Sequence, residues 1–487
     1  MQNQHKFAMA SLILLAIFTT SGCSTNPATG DQSFTGLMSL NDEIRIGRRE
    51  HGKILKLFGG QYKDEVIANY VTNIGNQLAA KSELPNIKWT FTVLNSPIIN
   101  ALALPGGYIY VTRGLMALAS NEAELAGVLA HEIGHVTARH TAQRYSSSML
   151  AGGVSIAASI FLGSSAGDLA NFAGKAAIQS YSRKQEFEAD TLGVRYLSRG
   201  NYNTSAMTSF LKKLRAHSQL EARRHKKDPA NVDQGDMFAT HPRTIDRVNR
   251  AIAATTSTKT GHRLGTVDYM ERLHNMVYGD DPKEGLIKGQ MFIHPEMRFR
   301  FIVPDGFLLI NTPRAVIAKG PSDAAIQFDT VNKPYNNSMV NYITSIWAPK
   351  TNFLKVDKIK VNGMPGATAK KQIRKKNGVF DLQLTAIKYN NSRIYRFIFL
   401  TRSNQTKLLY RSLRQTTLSL KNISHSEAKK IRPARILVKA VGAENSIKSF
   451  TQLMIAKPFS EETFRVINGL QPYEHLKQGK LIKIISE

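Results

Sequence analysis

The stretch that decides the fold is Glu124-Leu-Ala-Gly-Val-Leu-Ala-His-Glu-Ile-Gly-His135, which ends in a His-Glu-x-x-His pattern. Residues four apart share one face of an α-helix, so His131 and His135 would present both imidazoles to a single cation. Glu132 lies about 100° further round the helix axis, within reach of a water molecule beside that cation. The stretch therefore predicts a helix that carries a metal site.

A second acidic segment, Glu186-Phe-Glu-Ala-Asp190, also predicts a helix with functional groups on one face. Glu186 and Asp190 are four residues apart, so one could reach the metal and the other could hold a ligand histidine from behind. Two imidazoles and one carboxylate leave a fourth tetrahedral position open, as in catalytic zinc sites. Glu132 could then accept a proton from water and pass it to the leaving amine. The alternative is a solvated helix surface.

Four ordered motifs carry a resemblance to a known family: Asn100 to Gly114, His131 to His140, Glu186-x-x-x-Asp190 and Thr240 to Val248. Together they resemble the gluzincin zinc metallopeptidases that include BepA, HtpX and the CAAX prenyl proteases, over about residues 39 to 255. The chain lacks multiple membrane spans, so the soluble BepA-like branch is closer. The resemblance implies an α+β fold with a mainly helical metalloprotease domain and a small sheet that has an edge strand.

The same resemblance implies roles for individual residues. It implies one Zn²⁺ per chain with three protein ligands, namely His131, His135 and Glu186. Glu132 would be the catalytic base, and Asp190 would orient a ligand histidine. Substrate would pair with an edge strand that includes five positions: Asn100, Ala103, Pro105, Gly106 and Gly107.

Three further residues are candidates for a supporting role. In the BepA-like branch the residue matching His241 lies near the metal, so it would stabilise the oxyanion or cap the zinc in a resting state. Taken alone, a histidine before proline is more often a surface turn residue. Arg247 is a second candidate for the oxyanion, and His140 is expected to support the end of the motif helix.

The first residues predict export. Lys6 precedes an apolar run from Ala8 to Phe18, and Thr20-Ser21-Gly22-Cys23 follows it. Cys23 is the only cysteine, which favours a lipoprotein signal peptide over residues 1–22 and lipid attachment at Cys23. Thr20 departs from the usual leucine, and an ordinary signal peptide is the alternative. Ser24 resembles the sorting signal for an outer membrane. We therefore expect a lipid-anchored protein at the periplasmic face of the outer membrane.

Composition limits the partners. The chain has 487 residues, enough for two or three domains, and a formal net charge of +29. Such a charge favours anionic surroundings, which include phospholipid, cell-wall polymer, acidic proteins and nucleic acid. Export argues against nucleic acid. The expected partners are envelope polypeptides as substrates, the membrane through Cys23, and cell-wall glycan.

Residues outside the motif region predict further domains. A tether is expected over 23–38 before the metallopeptidase domain at 39–255, an exposed loop near 216–236, a linker over 256–285 and an α+β accessory domain over 286–425. The apolar run 149–162 predicts either two buried helices or a segment that faces membrane or substrate. Residues 433–487 resemble a LysM-like module, which would bind glycan, although a small domain packed on its neighbour is the alternative.

These observations converge on one function. We expect a zinc-dependent metalloendopeptidase that hydrolyses misfolded or misassembled envelope proteins. The main alternative is an assembly factor or chaperone with a latent metal site. A cell-wall-binding module that carries a degenerate protease is a third possibility, which the complete His131, Glu132, His135 and Glu186 set disfavours.

Overall fold

The computed structural model describes residues 23–35, 38–150, 181–224, 228–230, 245–375, 377–455 and 458–487. Among these residues the chain divides into two compact units, one containing everything up to Gly279 together with Ala434–Glu487, the other containing Asp280–Pro433. Helices and sheets both contribute, so the predicted α+β class is confirmed. In the described part of the chain, no helix is long and apolar enough to cross a membrane.

The first unit is mainly helical. Its helices before the second unit are α1 (Leu40–Leu57), α2 (Glu65–Ala79), α3 (Arg113–Leu118), α4 (Glu122–Thr137), α5 (His140–Leu150), α6 (Arg183–Arg199), α7 (Ser205–Arg224), α8 (Ile245–Ser257) and α9 (Thr266–Leu273). Its strands there are β1 (Cys23–Thr25), β2 (Gln32–Phe34), β3 (Thr90–Leu94), β4 (Ala101–Leu104) and β5 (Tyr108–Thr112). The sequence pattern predicts helices over 41–57 and 64–80 and a strand over 89–94, and α1, α2 and β3 confirm them to within one residue at each end.

Helix α4 lies at the centre of this unit. Asn121 and Glu124 have the spacing of a capping box ahead of apolar positions, which predicts a helix that starts close to Asn121. The structure confirms this start, since the Asn121 side chain accepts a hydrogen bond from the backbone N–H of Glu124 at 2.9 Å. Every residue of the helix is buried, so it is covered on all sides. The carboxylate of Glu124 does not complete a capping box with Asn121. It instead accepts hydrogen bonds from the backbone N–H of Ser120 at 2.7 Å and from Lys213 Nζ at 2.6 Å.

Glycines let helix α6 approach α4 closely. A Cβ atom added at Gly193 of α6 would lie 3.2 Å from the backbone nitrogen of His131, and 2.7 Å from the Met207 side chain. One added at Gly134 of α4 would lie 3.1 Å from the backbone oxygen of Ala189. Contacts of this kind leave little room for side chains at the crossing. The crossing brings the acidic segment of α6 against the histidine motif of α4.

A three-stranded sheet flanks α4, in the order β3-β5-β4. Strand β3 runs parallel to β5, and β4 runs antiparallel to it. The turn between β4 and β5 uses Gly106 and Gly107, whose φ angles of 79° and 85° favour glycine. Strand β4 therefore stands at the edge of the sheet, at the position predicted for it.

The predicted tether over residues 23–38 is wrong where the structure describes it. Strands β1 and β2 form an antiparallel hairpin, and the hairpin packs on the first unit. Asn26 is only 3% exposed, and Ser146 Oγ donates a hydrogen bond to the backbone oxygen of Thr35 at 2.6 Å. Short polar residues suggested a flexible segment, but their hydrogen bonds to distant residues fix this one.

Two other predictions need correction. The linker expected over 256–285 contains α9, where Tyr269 is fully buried and donates a hydrogen bond to the backbone oxygen of Met116 at 2.7 Å. The loop expected near 216–236 begins as the last turns of α7, in which Leu220 is buried. The signal peptide and nearly all of the apolar run 149–162 lie outside the described residues.

The second unit is rich in β-structure. Its strands are β6 (Leu286–Lys288), β7 (Met291–His294), β8 (Phe299–Ile302), β9 (Leu308–Asn311), β10 (Val316–Lys319), β11 (Ala325–Asn332), β12 (Lys355–Val361), β13 (Met364–Lys375), β14 (Gly378–Lys388), β15 (Arg393–Arg402) and β16 (Lys421–Asn422). Its longer helices are α10 (Thr406–Ser419) and α11 (His425–Lys430), and short helical turns span Pro321–Asp323, Met339–Asn341 and Tyr342–Trp347. Strand-like runs over 379–388 and 393–400, on either side of Asn390-Asn391-Ser392, predict a hairpin, and the pairing of β14 with β15 confirms it.

Two antiparallel sheets make up this second unit. The larger has seven strands in the order β12-β13-β14-β15-β11-β10-β9, and the smaller has four in the order β16-β8-β7-β6. Their aromatic side chains share one core, in which the ring centroids of Phe301 and Phe328 are 4.7 Å apart. Such ring pairs add to the energy of area burial. The unit has its own core, and its described residues form a single stretch, Asp280–Pro433.

The chain then returns to the first unit. Residues 434–487 form β17 (Arg435–Ala440), α12 (Ile447–Gln452), α13 (Ser460–Asn468) and β18 (Leu481–Ser486), with β17 and β18 paired antiparallel. Ile436 and Val466 belong to the core of the first unit. Packing on a neighbour was one of the two alternatives for this segment, and the structure shows it. The LysM-like glycan-binding role stays a prediction.

A buried lysine fastens this last segment. Lys483 of β18 is fully buried, and its Nζ donates to the backbone oxygens of Ala117, Leu118 and Ala119 at 2.7, 3.3 and 2.6 Å. These oxygens lie at the carboxyl end of α3. The N–H groups of Lys483 there satisfy carbonyls that have no partner inside the helix.

We predict that Lys483→Met destabilises the first unit by about 3 kcal/mol, because buried carbonyls lose their donor. Urea unfolding followed by Trp89 fluorescence in a Trp347→Phe background reports on this unit alone, since the chain has two tryptophans. Lys477→Met, at an exposed position in the same segment, is the control and should leave the midpoint unchanged. An equal midpoint for Lys483→Met would contradict the role assigned to this lysine.

Candidate metal centre

The three predicted ligands meet inside the first unit. The Nε2 atoms of His131 and His135 are 3.1 Å apart. The carboxylate of Glu186 lies 3.4 Å from Nε2 of His135 and 3.7 Å from Nε2 of His131. One ligand atom from each residue falls within 4.8 Å of the others, and all three side chains are buried. The α4–α6 crossing therefore assembles the predicted set.

The chemistry of this donor set fits a divalent metal ion. Imidazole nitrogen and carboxylate oxygen are both ligands of zinc and of related transition metals. Two histidines and one carboxylate supply three ligands, which leaves one position of a tetrahedron for a reacting molecule. The set therefore suits a metal that takes part in a reaction.

Glu132 follows the first ligand and is 2% exposed. Burial raises the pKa of its carboxyl to about 7, with nearby His131 acting in the opposite direction. A carboxylate with a pKa near neutrality suits a general base, because it can accept a proton and release it again. The structure thus places Glu132 beside the ligands, in an environment that fits its predicted role.

Asp190 contacts the first ligand from behind. Its Oδ1 lies 2.9 Å from Nδ1 of His131. Burial, the largest single influence, would raise the pKa of Asp190, but the charges and hydrogen bonds of Arg247 and His131 together hold that pKa below its usual range. An ionised carboxylate accepts the Nδ1 proton of His131, which leaves the Nε2 lone pair directed at the metal position.

Arg247 binds the acidic residues of the centre. Its Nε and Nη2 donate to the two oxygens of Asp190 at 2.9 and 2.7 Å, and Nη1 lies 2.6 Å from Glu186. Such a two-point contact fixes the orientation of a carboxylate. The guanidinium is therefore placed to hold Asp190 and Glu186. Its predicted contact with an oxyanion stays a prediction.

A second series of contacting side chains supports His135. Nδ1 of His135 lies 3.0 Å from Nδ1 of His140, and Nε2 of His140 lies 3.4 Å from Glu188. Asn26 of the N-terminal hairpin donates to the other oxygen of Glu188 at 2.7 Å. Tyr181 stacks on the His135 ring, with centroids 3.8 Å apart.

These side-chain contacts determine which nitrogen of the His135 ring carries the proton. If Glu188 accepts the Nε2 proton of His140, Nδ1 of the neutral His140 ring must act as an acceptor. His135 then donates its Nδ1 proton to it and keeps the Nε2 lone pair for the metal. Glu188, Asn26 and Tyr181 were not predicted as site residues. The acidic segment carried the only signal for Glu188, and nothing in the sequence marks the other two.

The remaining predicted residues lie elsewhere. Residues 101–104 form the edge strand β4, and the turn residues 105–107 follow it; the substrate-binding role of this edge stays a prediction. Asn100 precedes the strand and is partly buried. His241 lies outside the described residues, so its predicted role stays a prediction.

Comparison with known proteins agrees with this geometry. Residues 66–255, which contain all three ligands, match Peptidase family M48. The chain contains a Peptidase family M48 domain. The resemblance to metallopeptidases that the four motifs predicted is thereby confirmed.

Several curated relatives share this M48 domain. The chain is 31% identical over 217 residues to a beta-barrel assembly-enhancing protease of Yersinia pestis, covering 42% of this chain and 43% of that protein. It is 34% identical over 199 residues to a putative beta-barrel assembly-enhancing protease of Vibrio cholerae, covering 38% of each. It is 28% identical over 223 residues to the mitochondrial metalloendopeptidase OMA1 of Schizosaccharomyces pombe, covering 44% of this chain and 61% of that protein. The match therefore spans less than half of the bacterial relatives.

We predict that Glu188→Gln weakens metal binding by the M48 domain roughly 10-fold or more, because His140, which contacts His135 from behind, loses its carboxylate partner. Competition with a chromophoric chelator, run with Zn²⁺ and with Co²⁺, measures the affinity. Thr191→Ala, at an exposed position on the same helix, is the control. A metal affinity of Glu188→Gln equal to that of the wild type would show that the contacts of Glu188, His140 and His135 do not affect the metal site.

Proposed function

We propose that this protein is a zinc-dependent metalloendopeptidase that hydrolyses misfolded or misassembled proteins of the bacterial cell envelope. The observation that carries the proposal is the convergence of His131, His135 and Glu186, with buried Glu132 next to the first ligand. Zinc is the metal of choice, because two imidazoles and one carboxylate make up a common catalytic zinc set.

Zinc, when bound, supplies a Lewis acid that polarises the scissile carbonyl. The residues of the chain supply the remaining functions. Glu132 removes a proton from the attacking water and later delivers it to the leaving nitrogen, as a group with a pKa near 7 is able to do. Asp190 and His140 keep the two imidazoles in the correct tautomers and orientations. The edge of β4 is the proposed docking strand, since an extended substrate pairs there through its main chain.

The relatives suggest where the substrates are found. The Yersinia pestis protein is named for a role in β-barrel assembly, and OMA1 is named as a mitochondrial metalloendopeptidase. Residues 66–255 match Peptidase family M48, which supports metallopeptidase chemistry. The N-terminal export pattern supports the envelope as the place of action.

An assembly factor with a latent metal site is the second candidate function. The observation that favours it is the 2.6 Å contact between Arg247 and Glu186, because a carboxylate that faces a guanidinium is a weaker metal ligand. The two candidates differ in whether the protein needs the base. A variant that retains the ligands and loses only the base should therefore lose a peptidase function and keep an assembly function.

We predict that Glu132→Gln retains zinc but cleaves an unfolded substrate such as β-casein roughly 1,000-fold more slowly, because it keeps its size and loses the base. His135→Ala should lose zinc as well, because it removes a ligand. Zinc content and cleavage rate are measured on the same samples. Glu65→Gln, at an exposed position at the start of α2, is the control and should match the wild type.

Complementation of a deletion strain separates the two candidates. Failure of Glu132→Gln to restore envelope integrity supports the peptidase. Full restoration by this variant, with cleavage absent, would assign the main function to assembly. A wild-type protein that neither binds zinc nor cuts an unfolded protein, even after His241→Ala, would refute the proposal.

The proposed lipid anchor would place the M48 domain directly at a membrane. Asn26 contacts the helix that carries Glu186, and it follows Cys23 by only three residues. Three residues span at most roughly 11 Å, even when fully extended. A lipid on Cys23 would therefore hold the first unit against the headgroups, where a strongly basic protein meets anionic lipid.

We predict that Cys23→Ser abolishes lipid labelling and shifts the protein from the membrane to the soluble fraction, because serine cannot carry the lipid. The shift should be large, since a multiply acylated cysteine binds a membrane far more firmly than a cysteine with a single acyl chain. Metabolic labelling with an alkyne fatty acid and fractionation at two salt concentrations measure the change. Ser24→Ala is the control for labelling. Unchanged labelling in Cys23→Ser would rule out this anchor.

A further inference from the structure

The second unit contains a groove that the proposed peptidase function leaves unused. It lies between helix α10 and one face of the strands β12–β15, and its volume is about 650 Å³. The floor consists of polar residues of the sheet, and the wall is formed by α10. Grooves of this size hold small ligands or a few units of a polymer.

The charged residues of the groove leave an excess of cations. Four cationic side chains line it, namely Lys360, Lys370, Lys371 and Arg414. Its two carboxylates already have partners, since Asp381 accepts hydrogen bonds from Thr406 at 2.6 Å and Ser403 at 2.8 Å, and Asp357 lies 3.2 Å from Lys355. None of the four cations forms an ion pair with a residue that the structure describes. The groove therefore favours an anionic ligand.

Hydroxyl groups at the bottom of the groove have unused hydrogen-bonding capacity. Thr417 on α10 is 6% exposed, and its Oγ1 has no hydrogen-bond partner among the described residues. Thr385 is fully buried, and its hydrogen bonds with Thr368 and Gln383 are both 3.4 Å long. A buried hydroxyl without a good partner is costly. A ligand that carries hydroxyl groups would supply the missing partners.

The rim of the groove is apolar and open. Leu354, Tyr410 and Leu418 are 77%, 45% and 37% exposed. Exposed apolar groups around a polar depression mark binding sites. The ligand must therefore combine negative charge, hydroxyl groups and apolar faces.

We propose that this groove binds a sugar chain that carries carboxylates. Carboxylates pair with the lysines and Arg414, sugar hydroxyls pair with the threonines, and the C–H faces of the rings cover the rim. An acyl chain would leave the buried hydroxyls unpaired. An acidic peptide such as polyglutamate would supply the carboxylates but not the hydroxyl groups. The proposal goes beyond the peptidase activity and does not depend on it.

Calorimetric titration of the full mature chain with tetragalacturonate tests the proposal, and maltotetraose and tetraglutamate serve as comparison ligands. Tetragalacturonate should bind, and the two comparison ligands should bind at least roughly tenfold more weakly, since each lacks one of the two required features. Glu132→Gln should bind like the wild type. Absence of tetragalacturonate binding at millimolar concentration, or equal binding of tetraglutamate, would overturn the proposal.

Variants locate the binding site. Arg414→Gln should weaken tetragalacturonate binding roughly tenfold, while Lys358→Gln, an exposed charge on β12 outside the groove, should not. Thr417→Val should weaken binding about fivefold and leave the melting temperature equal or higher, because it removes an unpaired buried hydroxyl. Binding that neither groove variant weakens would place the ligand elsewhere and overturn the proposal.

Discussion

The contact of Arg247 with Asp190 and Glu186 allows the metal centre to exist inside the protein. One guanidinium and two carboxylates lie there with almost no exposure to solvent, together with a third carboxyl, that of Glu132. Ionised groups are expensive to bury unless each is paired and hydrogen-bonded. One guanidinium meets both carboxylates with three nitrogens, so the carboxylates can stay ionised without water. The orientation of the two imidazoles and the environment of Glu132 both depend on this pairing of charges by Arg247.

Much of the centre could be predicted from the sequence, because its key relations are local. His131 and His135 are four apart on one helix, as are Glu186 and Asp190, and helical periodicity brings each pair to one face. The start of α4 followed from a single capping residue. The hairpin of β14 and β15 followed from two alternating runs around polar turn residues. Each of these depends on a few neighbours in the chain.

Other parts could not be predicted, because the contacts that define them join distant residues. Asn26 meets Glu188 across 162 positions, and Lys483 meets Ala117 across 366. Nothing in a Ser/Thr/Asn-rich segment shows that one of its amides will be buried on a helix. The segment before Gly279 read as a linker because its polar residues outnumber its apolar ones, yet Tyr269 and Leu273 fill the core. Tertiary packing decided these cases and local pattern did not.

The interruption of the first unit by the second has a consequence for the order of synthesis. The described residues of the β-rich unit form one stretch, Asp280–Pro433, so all of them are present once residue 433 has been made. The unit with the histidine motif remains without β18, and without the lysine that caps α3, until the last residues of the chain arrive. Domains generally fold as units while the chain is produced. A chain that stalls before Lys483 would therefore hold the motif in an unfinished core, which ties the folding of the metal centre to a segment that is made long after it.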